Sequence, residues 1–186
     1  MRFGMLILIC HLTVAFGQTH PLPAAANQEK MRGSAVADQL VGAWHLVSVE
    51  TTRPNGDVIY PFYGRHPEGL LVYDRSGWMS VQIVSDPKPV VPNSDSRAGI
   101  FAATPAEKAS ALEGYYAYFG TWTVDPSGAT VTHHLRQSLY PGERGLDFVR
   151  QLSMDGIRLT LVAKVHEMGE DHQRRLTWDR VPPLLP

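Results

Sequence analysis

The sequence predicts an all-β chain: a single antiparallel up-and-down β-barrel of about eight to ten strands with one inserted short α-helix. Three observations lead there. From Leu40 onward, short apolar runs alternate with turn signals at close spacing. The 16 glycines and 14 prolines are numerous enough to punctuate many short elements. Only the segment opening at Thr104 carries helix-start chemistry inside that series. A closed barrel also leaves no exposed strand edge, and about eight strands enclose room for side chains or one small ligand.

Arg2 followed by the apolar stretch Phe3 to Phe16, with small residues Ala15 and Gly17, has the make-up of a secretory signal peptide and is too short to span a bilayer. Residues 1–17 are therefore expected to be removed on export, to the periplasm or beyond the cell. Cys10, the only cysteine, would leave with them, so the mature chain has no disulfide and no thiol chemistry. A lipid anchor on Cys10 is the competing reading, but the large branched Ile9 precedes it; no membrane anchor is expected. Residues 18–37 show no sustained period and are expected to form a flexible lead. Residues 38–182 form the barrel domain.

The first run, Leu40 to Val49, stops at Pro54-Asn55-Gly56-Asp57, where Asn-Gly suits a tight hairpin. Val58 to Phe62, Glu68 to Tyr73 and Trp78 to Ser85 follow as strands, the last two joined by Asp74-Arg75-Ser76-Gly77. Asp86 to Ala103, with three prolines, is expected as loop. Thr104-Pro105-Ala106-Glu107 then forms a capping box with Pro at the first helical position, predicting a helix of roughly ten residues that ends near Gly114. Tyr115 to Val124, Ala129 to Ser138, Asp147 to Ser153, Ile157 to Val165 and Arg174 to Val181 complete roughly nine strands.

Gly42-Ala43-Trp44 resembles the Gly-x-Trp that opens lipocalins and their calycin relatives, and Leu176-Thr177-Trp178-Asp179-Arg180 resembles their closing strand. Together with Tyr60-Pro61-Phe62, Ala117-Tyr118-Phe119-Gly120-Thr121 and Val131-Thr132-His133-His134, these segments are similar to a lipocalin-like domain family of bacteria and fungi, over about Leu40 to Val181. The resemblance implies that Gly42, Trp44 and Arg180 close the barrel, the arginine packed over the indole. It implies much less about function, since one fold hosts many activities.

Side chains alternate along a strand, so the face holding the large apolar residues should be the lumen. That places Trp44 and Leu46 inside with Ser48 and Glu50; Tyr116, Tyr118, Gly120, Trp122 and Val124; Val131, His133 and Leu135; and Phe148, Arg150, Leu152 and Met154. In the strand from Trp78, either Trp78, Ser80 and Gln82 or Met79, Val81 and Ile83 face in. Two polar residues, His133 and Arg150, thus fall in apolar stripes. A guanidinium there must be paired. Its partner is Glu50 or another internal carboxylate, or an anionic ligand, unless a bulge turns it outward. Folding about Pro141-Gly142 sets Arg150 roughly level with His133 or His134.

The expected ligand-binding set is His133, Arg150, Tyr118, Trp122, Trp78, Gln82 and Tyr73. The expected partner is a small hydrophobic or aromatic molecule, neutral or anionic, held in the lumen. The alternative is a small-barrel enzyme of cyclase or isomerase type that acts on a hydrophobic intermediate. A haem or inhibitor barrel, with His133 as axial ligand in the haem case, is a third reading. No G-x-S-x-G, P-loop or H-E-x-x-H is present, so no cofactor or metal is expected. His166 and His172 with Glu167, Glu170 and Asp171 read as a solvated hairpin tip rather than a metal site. With 17 Lys and Arg against 18 Asp and Glu there is no basic excess for a phosphate backbone, and no nucleic-acid partner is expected. The residues do not specify an oligomeric state.

Overall fold

The computed structural model describes residues 23–89, 99–167 and 169–183. The signal segment 1–17, with Cys10, lies outside the described residues. Nine antiparallel strands form one sheet in chain order except that β1 lies between β2 and β3, and the sheet closes because β1 also pairs with β9. The wall consists of β1 (Gly42–Thr52), β3 (Glu68–Tyr73), β4 (Trp78–Val84), β5 (Tyr115–Val124), β6 (Thr130–Ser138), β7 (Asp147–Asp155), β8 (Arg158–Glu167) and β9 (Glu170–Arg180). The two-residue β2 (Val58–Ile59) is laid on the end of β1, with Thr51 opposite Ile59. The expected all-β up-and-down barrel is therefore the architecture found.

Between β4 and β5 lie α2 (Gly99–Ala102) and α3 (Pro105–Glu113). Thr104 caps α3: its hydroxyl accepts from the Glu107 amide, and its own amide donates to the Glu107 carboxylate at 2.7 Å. Those bonds hold the Glu107 carboxyl below its ordinary range. The single turn of α2 falls in the stretch expected as loop.

The larger departure is α1 (Pro23–Leu40), an 18-residue helix over most of the expected lead. Its inward stripe is Gly33, Val36, Ala37 and Leu40, spaced i, i+3, i+4, i+7, with the rest largely exposed. Two of those four are Gly and Ala, which give no apolar signal. Small size is what the docking requires: the Gly33 amide donates to the Pro126 carbonyl at 3.1 Å, and a Cβ on Gly33 would stand 2.5 Å from the Asp125 carbonyl. Leu40, fully buried, ends the helix against the closed end of the barrel.

That end is packed solid. Trp44, Trp178, Leu71, Leu159, Leu161 and Val131 fill it, each no more than 1% exposed. The Trp44 indole donates to the Leu40 carbonyl at 2.9 Å, and the Arg180 guanidinium lies 4.1 Å over its ring. Arg180 also donates to the carbonyls of Val41 and Gln39. Beside it, Gly42 has a φ of 133°, which an L side chain rarely adopts. Cation, indole and helix end thus seal the bottom of the barrel.

Parity fails in one strand. Between Leu46 and Ser48 the β1–β9 register shifts by a residue, and beyond that bulge Val49 and Thr51 are buried while Ser48 and Glu50 are not. Glu50 therefore does not share the lumen with Arg150, which removes one of the partners expected for that guanidinium.

Candidate functional site

The other end of the barrel is open. A cavity of about 560 Å³ is lined there by Val81 and Ile83 from β4, Tyr116 and Tyr118 from β5, Phe148 and Arg150 from β7, Ala163 and Val165 from β8, and Leu176 from β9. Each is an inward position of its strand. Phe62 and Tyr63 reach it from the loop after β2, and Phe62 is held at a φ of 68°, the one described non-glycine residue in the left-handed region. Backbone strain of this kind gathers at binding sites.

At the floor, His133 is 1% exposed and both its ring nitrogens are engaged. Its Nε2 stands 2.6 Å from the Tyr73 hydroxyl and its Nδ1 2.8 Å from the Tyr118 hydroxyl. Burial, with the charge of Arg150 second, drives the imidazole pKa well below its ordinary value, so the ring is neutral. Burial likewise raises Tyr73 and Tyr118, against which the Arg150 charge pulls downward. A metal or haem iron would have to displace one of the two hydroxyls, so this donor set does not fit an axial ligand. Among the described residues no three His, Cys, Asp or Glu side chains are grouped to hold a metal ion.

Arg150 half emerges into the cavity with its guanidinium 5.4 Å over the Phe148 ring. The ion pairs among the described residues involve other groups, and Arg150 is in none of them. The second arginine of the lining, Arg174, is neutralised by a two-pronged bond to Glu167 at 3.0 and 2.5 Å. At the rim, Glu143 accepts from Tyr116 at 2.7 Å and from Ser138 at 2.5 Å, and Tyr140 stacks on Tyr116.

Of the residues expected to bind ligand, the structure brings four together: Tyr118 and Arg150 on the cavity wall, with His133 and Tyr73 behind them. Trp122 is placed elsewhere, packed on Tyr73 at 4.8 Å with its indole donating to the Asp74 carbonyl. Trp78 and Gln82 are corrections: Met79, Val81 and Ile83 take the inner face of β4, leaving Trp78 49% exposed on the outside. Arg150 sits opposite Val131 and Phe148 opposite His133, two residues from the level expected with His133, a shift that preserves the face, and three from that with His134. The residues missed are Phe62, Tyr63, Glu143, Glu167 and Arg174. Inward parity on β9 would have offered Arg174; nothing in the sequence marks the loop pair. The β8–β9 tip is a web of ion pairs, His166 with Asp171 and Glu170 with Arg53, in which His172 is buried rather than solvated.

An eight-stranded closed barrel, plugged at one end and opening at the other on an aromatic cavity, belongs to the class of ligand-binding barrels. The lipocalin-like domain model matches residues 41–181, and the chain belongs to that family. No curated protein matches the chain. No described helix is long and apolar enough to cross a membrane.

Proposed function

We propose that the barrel binds a small hydrophobic or aromatic molecule carrying an acidic or strongly accepting oxygen, and that the chain is exported after loss of residues 1–17. The observation that carries the ligand reading is Arg150: a cation on an aromatic wall, facing a cavity, with no carboxylate partner among the described residues. A half-buried cation on an aromatic wall has no counter-charge of its own there, and an anionic ligand supplies one with bidentate geometry. Arg150→Met keeps the approximate volume and removes the charge. It should weaken an aromatic carboxylate by about 1.5–3 kcal/mol, the value of a charged hydrogen bond, and leave the corresponding neutral alcohol nearly unaffected, as read by calorimetry. Equal losses for both compounds would refute the reading. Export is tested by sequencing the N-terminus of protein recovered outside the cytoplasm, which should begin at Gln18.

The second reading, a small-barrel enzyme of cyclase or isomerase type, is favoured by the hydroxyl–imidazole–hydroxyl chain that reaches the wall at Tyr118. Such chains serve proton transfer in preorganised sites. A co-purifying molecule returned chemically unchanged supports binding; one altered on incubation supports the enzyme.

A further inference from the structure

The hydrogen-bond accounting around His133 decides which way protons point in this site, and with it what kind of ligand atom the site can take. A neutral imidazole carries one N–H, so one ring nitrogen donates and the other accepts. Tyr73 is 1% exposed, does not line the cavity, and has the His133 Nε2 as its one hydrogen-bond partner among the described residues. If Nε2 carried the proton, the Tyr73 oxygen would accept it and its own O–H would be left with no acceptor in a dry interior. An orphaned buried donor is penalised heavily enough to disfavour that arrangement by about tenfold or more. With Nε2 bare, Tyr73 donates to it and is satisfied. The proton then resides on Nδ1, which donates to the Tyr118 oxygen across 2.8 Å. Tyr118 cannot also donate to that nitrogen, and the neighbouring Arg150, which bonds to the Tyr118 oxygen, is a donor only and cannot take the proton; it must point elsewhere, and the open side of Tyr118 is the cavity.

From this geometry we infer that Tyr73 locks His133 as the Nδ1–H tautomer, so that Tyr118 presents its hydroxyl proton to the cavity and forms, with Arg150, a two-donor seat for a ligand oxygen. The inference rests on the reading that this cavity holds the ligand, and it narrows the ligand's chemistry. The seated atom is a pure acceptor, a carboxylate, enolate or phenolate oxygen, and a group that must itself donate, such as an ammonium, is rejected. Tyr118 is the contact; His133 and Tyr73 are positioning residues that act through it.

Long-range proton–nitrogen NMR correlations on the ligand-free protein report the tautomer directly. The expected result is a protonated Nδ1 and a bare Nε2 at His133; a protonated Nε2 overturns the inference. In Tyr73→Phe, which removes only the hydroxyl, the two nitrogen shifts should move toward each other as the lock is lost. Shifts that stay put would remove Tyr73 from the role. Calorimetry with naphthoate and naphthylmethylammonium as probes gives the second readout. Tyr118→Phe should weaken naphthoate by about tenfold or more, the loss of one hydrogen bond to a charged group, and should lessen the discrimination against the ammonium probe. Unchanged naphthoate affinity in a Tyr118→Phe protein that melts normally would overturn the seat. The Arg150→Met comparison fails independently of these: a tautomer read as Nδ1–H with no preference for naphthoate refutes the anionic ligand and leaves the proton assignment standing.

Discussion

Lowering the pH should destabilise this barrel through His133 before its carboxylates begin to titrate. The ring is buried among Tyr73, Tyr118 and Arg150, with His134 adjacent in the chain, and none of these neighbours is an anion. Its folded pKa is therefore held well below the ordinary 6.5 that it recovers on unfolding. Between those two values the unfolded chain binds a proton that the folded chain refuses, so stability rises with pH there and is lost as pH falls below about 6.5. The slope is about 1.4 kcal/mol for each pH unit, or about 2 kcal/mol between pH 7 and pH 5. Other histidines and the carboxylates add their own slopes, so the measurement is a difference. His133→Gln keeps a donor and an acceptor for the two hydroxyls and cannot titrate. Urea unfolding of both proteins across this range should show the native protein losing about 2 kcal/mol more than the variant. Parallel pH profiles would refute a neutral, charge-excluding site at His133.

Trp44→Ala should cost about 3–5 kcal/mol, with about 0.5–2 kcal/mol more from the cation stacked on its ring, since the indole is fully buried and also holds the Leu40 carbonyl. A melting temperature lowered by less than about 3 °C would contradict that placement. Gly120→Ala should destabilise by about 1–3 kcal/mol, because a Cβ there would stand 2.0 Å from the His134 carbonyl at the β5–β6 register shift. A gain in chemical-denaturation midpoint, the usual outcome where alanine fits, would show that the backbones are not so close.

Alternation carried the reading of the sequence furthest in β5, β6 and β7, where the one register shift falls at Arg136, past the inward positions Val131, His133 and Leu135. β5, β6 and β7 each present the inward side chains that parity assigns, which is why Tyr118, His133 and Arg150 were legible as neighbours. It failed at Leu46 to Ser48, because Val47-Ser48-Val49 is equally good strand on either side of a bulge and no residue type announces the inserted position. The β4 ambiguity came from composition: Trp78 and Met79 are both apolar, and only the packing of Met79 into the barrel core, with Trp78 outside, separates the two faces. Around Pro141-Gly142 the turn is not centred. Leu146 and Gly145 both bond to Leu135, so β6 outruns β7 and the level of Arg150 slips by two. The helix α1 was missed because its contact stripe is built from absence, a glycine and an alanine that let backbones approach.

The seam between β1 and β9 joins positions as distant as Val41 and Arg180, 139 apart in the chain. Every other pairing in the wall links strands close in chain order, β1 with β3 past the short β2 and β4 with β5 past two helices, so a growing chain can assemble a curved sheet strand by strand. It cannot become a barrel until the last strand arrives, and the residue that completes the bottom seal, Arg180, comes at the very end of that strand. Contacts of such long range slow the final step, because the loop must close before they form. The floor and the wall are thus finished in one late event. Loss of a few residues from the final strand would leave a bent sheet with two raw edges and an unplugged interior.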